Sequence, residues 1–449
     1  MNWWKFVLLF SPIYILIFFI LIVHFFHFQS FPHQLALFLS GLTIFLLRRD
    51  KDSFKRLIPI LWKNLKSVLP AIEILFLVGM LIAAWSFSGV LGVMVKFGFS
   101  ILNVEFFLPG ICCIAALASL VSGSSWTTAG TFGLALMGVG EILGFPPEVS
   151  CGAIVSGCYF GDKLSPLSDT TNLASNLSSV PIFDHIQHML KTSLISFSMA
   201  LVLYFFLNKF FFFPKESSIQ APLVLYLKNT NQNFLLLLPV VCVFGSSFFK
   251  LHVRVSLILG IVSSGILTIS SLDHLVLFSK SMVVGFVSET GEPAIDSFLS
   301  GGGISAIFPT EFLIVSAVWF GANLENSGYL KEILEGISAL VKKQKDVIFA
   351  TMGSALLLNL TTADQYLSIV IPANAFRNLA DTKKIPKKDI SRALEDSGTI
   401  TSALIPWNSC GAFMAASLGV ATIQYLPFVF FNLIHITLSV ALLGFKKSK

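Results

Sequence analysis

Apolar runs separated by short polar connections extend along almost the whole chain. They lie near residues 6–28, 32–47, 70–95, 106–122, 148–160, 190–213, 233–249, 255–272, 274–288, 311–328, 347–360, 394–405 and 424–444. A helix needs about 20 apolar residues to cross a hydrocarbon core of roughly 30 Å. Because such runs recur to the end of the sequence, the pattern predicts an all-α polytopic membrane protein with roughly 10 to 13 membrane segments.

Several of these runs are too short to span a bilayer, and the segments between them are unusual. They are rich in Gly, Ser and Thr where ordinary loops would carry charge, as in residues 122–140, 288–309 and 361–376. Non-helical backbone at membrane depth is tolerated only where protein or a water-filled cavity satisfies its polar groups. We therefore expect broken or re-entrant helices at these three places.

The order of polar features repeats between two halves of the chain. A Ser- and Thr-rich break at 122–131 is followed by Asp162, Ser165, Pro166 and Asn172. A Thr-rich break at 361–362 is followed by Asp364 and then, at a similar interval, by Asp396, Thr399, Pro406 and Asn408. This weak symmetry is typical of inverted-repeat transporters, whose site forms near the bilayer midplane where the repeats meet.

The same symmetry suggests a division of the chain into four parts. We expect an N-terminal hairpin with a basic loop, a first repeat, a connecting part with a Gly-rich re-entrant segment, and a second repeat. Their predicted boundaries are 1–69, 70–213, 214–310 and 311–449.

Composition and charge support a membrane environment. Hydrophobic residues make up 55% of the chain and charged residues 12%, which leaves no room for a sizeable soluble domain. A net charge of +6 would fit nucleic acid, but the basic residues cluster in short connections, which is the positive-inside pattern of membrane proteins. The four basic clusters, all of which we place in the cytoplasm, are residues 48–66, 342–345, 377–392 and 446–449.

This distribution predicts an integral protein of a bacterial inner membrane with both termini in the cytoplasm. The lipid bilayer is then its main surrounding, nucleic acid is not a partner, and a homo-oligomer is compatible with the sequence. The first apolar run, residues 6–23, lacks a small-residue cleavage site and is followed at once by another run. We interpret it as a retained helix and not as a signal peptide.

Acidic residues at the ends of apolar runs are the candidate chemistry. Isolated charges at membrane depth cost several kcal/mol, so those present normally line a cavity or a path. We predict four ion-binding or proton-carrying carboxylates, Asp162, Asp169, Asp364 and Asp396. The groups that we expect to support them are Ser124, Thr170, Thr171, Asn172, Asn359, Gln365, Glu395, Ser397, Thr399 and Asn408.

An oxygen-rich cage of this kind is what a hard cation such as sodium requires. The same carboxylate can bind a proton instead, so sodium ions and protons would compete for one group. Such a site exchanges one ion for the other. We expect no cofactor and no metal beyond the transported sodium, since the six cysteines lie in apolar runs without CxxC spacing.

Each candidate also has a purely structural interpretation. Asp162 and Asp169 also suit a purely structural role as helix caps, because Asp and Ser are preferred at the N-cap position. The residues Asp184, His185 and His188 have the spacing of metal ligands on a helix, but no third histidine lies nearby, so we favour an interfacial helix or a pH-sensing face. His435 lies on an apolar run, where a hydrogen-bonded interior residue is the usual interpretation. Glu73 is expected at the cytoplasmic interface.

Five stretches of the sequence resemble the NhaC-type sodium/proton antiporters. The most specific is "LEDSGTITSALIPWNSCGAFMAASLGV" at 394–420. The others are "GDKLSPLSDTTNLA" (161–174), "DQYLSIVIP" (364–372), "LVGMLIAAWSFSGV" (77–90) and "GSSWTTAGTFGLALMGVGEILGFPP" (123–147). The similarity extends from about residue 70 to the C-terminus, and the first 60 residues show little of it.

The resemblance implies a secondary transporter that exchanges sodium for protons, driven by ion gradients without ATP. Near relatives in the same family exchange malate with sodium for lactate with protons, so a carboxylate exchanger of the same fold is the alternative. At "LSGGGIS" (299–305) this chain lacks the basic residue that relatives carry before the paired glycines. Since a guanidinium is a natural carboxylate partner, its loss favours inorganic cations.

An enzyme is disfavoured by the same residues. An intramembrane aspartyl protease would fit an aspartate at the end of a membrane run, as in "YFGD" at 159–162. Such a protease needs a glycine where this chain has Tyr159, and a Tyr-Asp pair, which the sequence lacks. The sequence also lacks a GxxxxGK(S/T) phosphate loop, which disfavours an ATP-driven pump.

Overall fold

A computed structural model of the chain describes residues 11–25, 32–48, 50–101, 104–211, 233–249, 251–291, 296 and 299–445. Helices make up nearly all the regular structure of this part, and the one β feature in it is an isolated bridge between Phe286 and Gly301. The prediction of an all-α protein is therefore confirmed. The basic cluster 446–449, residues 6–10 of the first apolar run and residues 292–295 and 297–298 of the Gly-rich segment lie outside the described residues.

The first half of the chain forms a series of helices, several of them broken. They are α1 (Ser11–Phe25), α2 (Pro32–Leu47), α3 (Ser53–Ser88), α4 (Val90–Ile101), α5 (Phe107–Ser122), α6 (Ser125–Thr128), α7 (Leu134–Ile142), α8 (Pro147–Leu164), α9 (Asp169–Leu177) and α10 (Ile182–Phe206). A short 3-10 turn, Val104–Phe106, leads into α5. π-helical turns join α6 to α7 (Ala129–Gly133) and extend α10 (Leu207–Phe211).

The second half continues in the same way. Its helices are α11 (Leu238–Phe248), α12 (Val253–Thr268), α13 (Leu272–Val284), α14 (Ile304–Asn326), α15 (Tyr329–Leu340), α16 (Gln344–Thr362), α17 (Gln365–Thr382), α18 (Lys387–Leu394), α19 (Ile400–Ser402), α20 (Ser409–Leu418), α21 (Thr422–Tyr425) and α22 (Phe430–Phe445). The π-helical turn Glu395–Thr399 joins α18 to α19. The 3-10 turns Phe234–Leu237 and Leu426–Phe428 lead into α11 and follow α21.

Local sequence explains where the helices around the breaks begin and end. α5 ends at Gly123, whose φ of 67° is left-handed, a conformation that glycine adopts without a Cβ penalty. α8 begins with Pro147, whose fixed φ suits a first helical turn and whose missing N–H costs nothing there. Ser124 and Asp364 cap α6 and α17 by accepting hydrogen bonds from backbone N–H groups.

The same order of elements occurs twice along the chain. Residues 53–206 form a long helix (α3), a shorter one (α4), a hairpin (α5 with α6 and α7), a broken helix (α8 and α9) and a closing helix (α10). Residues 304–445 form α14, α15, the hairpin α16–α17, the broken helix α18 to α20 and the closing helix α22, with the short α21 before it. The two halves therefore share their element order as well as their order of polar features.

Helix α10 connects the outer ends of the two halves. At its start, Asp184 lies 3.0 Å from Lys388 of α18, which follows the end of the second hairpin. Beyond its end, the Asn208 side chain accepts a hydrogen bond from the Leu108 N–H at the start of the first hairpin. The segment Ile182–Lys209 has 28 residues, about 42 Å of helix. The outer ends of the two hairpins consequently lie at opposite ends of α10.

A close helix contact fixes the first hairpin against the broken helix. Gly157 and Gly161 of α8 face the backbone of α5, where a Cβ atom at either position would collide with a carbonyl oxygen. The Ser119 hydroxyl donates a hydrogen bond of 2.6 Å to the Cys158 carbonyl across the same contact. Small residues allow such close approach of membrane helices. The contact holds the hairpin tip beside the end of α8.

Four described helices are long and apolar enough to cross a membrane, Ser53–Ser88, Val104–Ser122, Ile182–Lys209 and Ile304–Asn326. The bent pair Ser409–Leu418 and Thr422–Phe428 adds a fifth if it is counted as one span. Shorter apolar helices of 10–17 residues accompany them. The chain is a helical membrane protein, whereas the count of roughly 10 to 13 segments and the inverted relation of the repeats stay predictions.

Candidate ion-binding site

The two breaks predicted from the sequence line one cavity of about 370 Å³, here called the central cavity. The tips of the two hairpins contribute residues 123–126 and 364–367 to its wall, and α3 and the start of α12 close its side. The residues predicted as site residues that lie in this wall are Ser124, Asp162, Asp169, Thr170, Asp364 and Gln365.

Asp162 lies in the last turn of α8 and faces the tip of the first hairpin. Its Oδ2 accepts hydrogen bonds from the backbone N–H of Ser125 at 3.1 Å and from the Ser125 hydroxyl at 2.6 Å. Ser125 begins α6, so the carboxylate satisfies one of the free N–H groups at a helix start. Asp162 is buried, with 7% of its surface exposed, and forms part of the cavity wall.

Asp364 has a comparable position at the tip of the second hairpin. Its Oδ1 accepts a hydrogen bond of 2.8 Å from the Leu367 N–H, and the residue is 4% exposed. The preceding residue, Ala363, has a left-handed φ of 59°, which is uncommon for a residue with a Cβ atom. A carboxylate accepts several hydrogen bonds or ions at once, so capping leaves room for a cation.

Asp169 is the most exposed of the three cavity carboxylates. It is the first residue of α9, but the side chain that caps this helix is Ser168, which accepts from the Thr171 N–H at 3.4 Å. The capping interpretation therefore applies to Ser168, and the Asp169 carboxylate is left to the cavity mouth.

Two further predicted residues hold the break between α8 and α9 in shape. The Asn172 amide donates hydrogen bonds to the carbonyls of Pro166 at 2.9 Å and Ser168 at 2.7 Å. The Thr171 hydroxyl donates to the Lys163 carbonyl at 3.2 Å. Both side chains orient the cavity wall from behind.

A buried amide pair does the same behind the second hairpin. The Asn408 amide donates to Asn359 Oδ1 at 3.0 Å, and Asn359 in turn donates to the Gly398 carbonyl at 2.7 Å. Asn408 also caps α20 by accepting from the Cys410 N–H at 3.1 Å. The pair links α16, the π-helical turn and α20.

Asp396, the fourth predicted carboxylate, lies outside the cavity wall in a buried group of charges. Its Oδ1 lies 2.5 Å from Lys163 Nζ and 3.0 Å from His435 Nε2, and its Oδ2 lies 3.0 Å from Arg392 Nε and 2.7 Å from the Ser439 hydroxyl. These five residues are the Asp396 cluster. Because Lys163 belongs to the first half and the other four to the second, the cluster joins the halves.

The rest of the π-helical turn is buried beside this cluster. Glu395 is fully buried, and its Oε1 accepts a hydrogen bond of 3.4 Å from the Thr170 hydroxyl of the cavity wall. Ser397 donates to the Ala393 carbonyl at 2.6 Å, and Thr399 is also fully buried. These residues lie one layer behind the cavity.

The histidines have structural partners. His435 is fully buried and contacts Ser196 and Asp396, which confirms the prediction of a hydrogen-bonded interior residue. His185 contacts Ser391 at 2.9 Å, and His188 lies 3.0 Å from Asp389. Among the described residues, His, Cys, Asp and Glu form no group of three that could hold a metal ion.

Sequence reasoning missed two basic residues that matter here. Arg254, at the start of α12, lies in the wall of the central cavity, and its guanidinium is 2.8 Å from a carboxylate oxygen of Glu73. Lys163 follows Asp162 directly and is fully buried. Both could have been found by the signal that identified the aspartates, a charge at the end of an apolar run.

Comparison with known proteins gives relatives over most of the chain. A sequence model described as the Na+/H+ antiporter family matches residues 157–447. The Na(+)/H(+) antiporter NhaC of Bacillus subtilis is 36% identical, with 86% of this chain and 85% of the relative covered. The arginine/ornithine antiporter ArcD of Halobacterium salinarum is 35% identical over 84% and 79% of the two chains. The malate-2H(+)/Na(+)-lactate antiporter of Bacillus subtilis is 31% identical over 94% and 92%.

These matches confirm the resemblance read from the five sequence motifs. The family model covers residues 157–447, and the match to the malate-2H(+)/Na(+)-lactate antiporter includes 94% of the chain, so it extends over both halves of the repeated element order. The relatives named above are antiporters, although the substrates in their names differ. The chain belongs to the Na+/H+ antiporter family.

Proposed function

We propose that this membrane protein exchanges sodium ions for protons, and that Asp162, Asp169 and Asp364 are the groups that carry them. The observation behind this proposal is the convergence of three carboxylates on one cavity, two from the first half and one from the second. The similarity to NhaC supports the choice of ions.

The chemistry of the wall suits a small hard cation. Besides the carboxylates, the wall offers hydroxyl oxygens from Ser124 and Thr170 and the amide oxygen of Gln365. Oxygen ligands of this kind replace the hydration shell of a hard cation. When the cation leaves, a proton can neutralise a carboxylate that is shielded from water, so each ion displaces the other.

We also propose that the two halves are inverted repeats that give alternating access to the central cavity. The hairpin tips meet at the cavity, while their outer ends lie at opposite ends of α10. Hairpins that enter from opposite sides and meet in the middle are the arrangement of inverted-repeat transporters. Rocking of one half against the other would then open the cavity to each side in turn.

For Asp396 we infer a different role from that of the cavity carboxylates. Each of its two oxygens already has two partners, Lys163 and His435 on Oδ1 and Arg392 and Ser439 on Oδ2, so no lone pair is left for a transported cation. A buried pair of this kind is costly to break. We assign Asp396 to the joint between the halves and leave carriage to the other three aspartates.

The alternative function is exchange of a small carboxylate together with sodium. One observation favours it: Arg254 lies in the wall of the central cavity, where a guanidinium could hold a substrate carboxylate. The similarity to the malate/lactate antiporter points the same way. Against it, Arg254 is already paired with Glu73, and aspartates outnumber basic residues in the wall.

Proton movement in everted membrane vesicles distinguishes these functions. The vesicles are energised until a pH-sensitive dye is quenched, and sodium, lithium, potassium, malate, lactate and arginine are then added in turn. We expect dequenching when sodium is added without any organic substrate. Dequenching that requires one of the organic substrates would favour the alternative and contradict sodium/proton exchange.

The assignment of the carriers has its own test. Asp162→Asn keeps the size and hydrogen-bonding capacity of the side chain but removes its charge, so we expect loss of exchange. The matched control is Asp184→Asn, because Asp184 is half-exposed on α10 and lies away from the cavity. Asp162→Glu should retain transport with a shifted sodium affinity. Normal exchange by Asp162→Asn would leave carriage to Asp169 and Asp364.

A further inference from the structure

One buried carboxylate outside the set of predicted site residues has no hydrogen-bond partner in the described part of the chain. Glu311 lies in the middle of α14 and is 6% exposed. Neither of its carboxylate oxygens is reached by solvent or has a hydrogen-bond partner among the described residues. Among the described acidic residues, Glu311 alone has two carboxylate oxygens that are both buried and without a hydrogen-bond partner.

The surroundings of Glu311 are apolar. It lies on the buried stripe of α14 that includes Ile307, Ile314 and Val318, each at most 2% exposed. This stripe packs antiparallel to α3, since the N–H of Gly303 donates to the Gly79 carbonyl at 2.6 Å near one end of the contact and the Asn64 amide donates to Glu325 at 3.2 Å near the other. Glu311 therefore lies between these two contacts, on the stripe of α14 that packs against α3.

None of the charged groups on the neighbouring helices reaches Glu311. In the described part these helices are α2, α3, α13, α15, α16 and α20. Their titratable side chains are His33 (α2), Lys55, Arg56, Lys63, Lys66 and Glu73 (α3), Asp273, His274 and Lys280 (α13), Tyr329, Lys331, Glu332 and Glu335 (α15), Lys345 and Asp346 (α16) and Cys410 (α20). On α14 itself the other charge is Glu325, at the opposite end. Among the described residues, no charged group therefore contacts the Glu311 carboxylate.

We propose that Glu311 is a proton-binding site separate from the central cavity, and that it holds a proton in the conformation described here. An ionised carboxylate removed from water without a partner is so costly that the group neutralises instead. The site favours a proton over sodium, because a sodium ion would need several oxygen ligands and no described polar group lies within hydrogen-bond distance of the Glu311 carboxylate.

Helices that flank Glu311 also form the wall of the central cavity. α3 contributes Pro70, Ala71 and Ile74 to that wall, and α20 contributes Ser409. A shift of α14 against α3 during transport would change both the cavity and the burial of Glu311. Water that entered would accept the proton, breaking the O–H bond and leaving a hydrated carboxylate, and reclosure would require a proton to return.

α14 has a weak point beside the site. Pro309 lies two residues before Glu311 and has no N–H, so the carbonyl four residues earlier loses its helical partner. The Gln34 amide of α2 donates to the Pro309 carbonyl at 2.9 Å. A proline at such a position allows a helix to bend. The proposal that Glu311 holds a proton does not depend on which ion the protein carries. The proposal that Glu311 releases and regains this proton during transport rests on the antiport proposed above.

The first half offers a matched control. Pro70 and Pro309 lie at the same distance before the left-handed Gly89 and Gly328, and each is followed within one turn by a glutamate. The glutamate of the first half, Glu73, is half-exposed and lies 2.8 Å from Arg254. Glu73 is therefore half-exposed and paired, where Glu311 is buried and has no partner among the described residues.

Infrared spectroscopy of the purified protein in lipid tests the protonation directly. At neutral pH, the wild type minus Glu311→Gln difference spectrum should contain the carbonyl stretch of one protonated carboxylic acid, and the wild type minus Glu73→Gln spectrum should not. Glu311→Asp should retain the carbonyl band of the protonated acid, and this result would show that substitution at this position still allows the chain to fold. A Glu311→Gln difference that contains carboxylate bands and no acid band would overturn the proposal.

The pH dependence of exchange in proteoliposomes tests the role in transport. We expect Glu311→Gln to change the pH profile of the exchange rate by at least ~10-fold at one end of the range, the scale of a lost proton-transfer group. Glu325→Gln should keep the wild-type profile, because Glu325 lies on the same helix, outside the central cavity, and is paired with Lys63. A Glu311→Gln profile that superimposes on the wild type would refute the transport role, while absence of exchange in the wild type would refute the proposed function instead.

Discussion

At the scale of single residues, the cavity aspartates do two things at once. Asp162 and Asp364 each accept hydrogen bonds from a helix start and also face the cavity. The backbone N–H groups of the helix start thus fix the position of each carboxylate in the cavity wall. Structural and functional interpretations of these residues are therefore compatible.

The Asp396 cluster gives a prediction for stability. Asp396→Asn leaves the buried Lys163 amine without a carboxylate, and breaking such a pair costs about 3 to 5 kcal/mol. We expect a lower thermal unfolding temperature for Asp396→Asn in detergent, and partial recovery in the double variant with Lys163→Met. Sodium should still raise the unfolding temperature of Asp396→Asn but not of Asp162→Asn. If Asp396→Asn is as stable as the wild type, the proposal that the Asp396 cluster holds the two halves together is contradicted.

An exposed aspartate gives a prediction for pH. Asp50 lies between α2 and α3, and hydrogen bonds from Ser53 and then Arg56 lower its pKa to about 2. Since this is below the unfolded value of about 3.9, the stabilisation is present above pH ~4 and is lost as the pH falls towards 2. Hydrogen exchange should show lower protection factors at the start of α3 in acid.

Substitution of Asp50 should reproduce the acid effect. We expect Asp50→Asn to show reduced protection near Ser53 already at neutral pH. The control is Asp52→Asn, because the cation nearest to Asp52, Lys55, lies 3.9 Å away on an exposed surface. Equal protection in both variants would mean that the Asp50 contacts do not hold this turn.

At the scale of elements, the two hairpin tips share a left-handed backbone conformation but have different residues there, a glycine in the first and an alanine in the second. Gly123 ends α5 and Ala363 follows α16, and both are left-handed. A Cβ atom at Gly123 would lie 2.5 Å from the Leu167 Cβ and 2.7 Å from the Leu167 carbonyl carbon. The first tip therefore packs directly on the connection between α8 and α9.

Substitution at the first tip should disturb the cavity. Gly123→Ala combines left-handed strain with the Leu167 clash, so we expect a loss of about 2 to 4 kcal/mol of stability. It should also weaken exchange, because the tip carries the Ser125 groups that contact Asp162. Thermal unfolding and vesicle transport measure the two effects.

The second tip supplies the control for this substitution. Ala363→Gly removes the left-handed strain but loses a buried methyl group, so stability should stay within about 1 kcal/mol of the wild type. Equal effects of Gly123→Ala and Ala363→Gly would show that the packing of the first tip is not special.

At the scale of the whole molecule, the orientation in the membrane is open to test. Lys384, in the basic stretch after α17, and Ala421, between α20 and α21, are exposed near opposite ends of α10. Positive-inside charge places the first in the cytoplasm. In a cysteine-free background, a membrane-impermeant maleimide applied to intact cells should label Ala421→Cys and not Lys384→Cys.

Everted vesicles should reverse this pattern. Labelling of both positions from the same side would contradict the proposed arrangement of the halves as well as the orientation. If only Lys384→Cys is labelled in intact cells, the proposed arrangement of the halves stands, but the orientation in the membrane is the reverse of the one predicted.

Several features of the site could be predicted because they depend on short stretches of sequence. The breaks at Gly123 and Asp364 follow from local Gly, Ser and Asp content, and the repeated order of features places both in one site. Arg254, Glu311 and the pairing of Asp396 were not predicted. Lys163 and Asp396 are 233 residues apart, so no local pattern reveals their contact.

The sequence by itself determined the membrane environment, the helical character and the positions of the breaks. Each of these follows from hydrophobicity or backbone preference over a few to some 20 residues. Only the tertiary structure decided which charges are paired, because ion pairing and burial depend on which helices pack together. For that reason Asp396 lies beside Lys163, Asp162 faces the cavity, and Glu311 is left alone against α3.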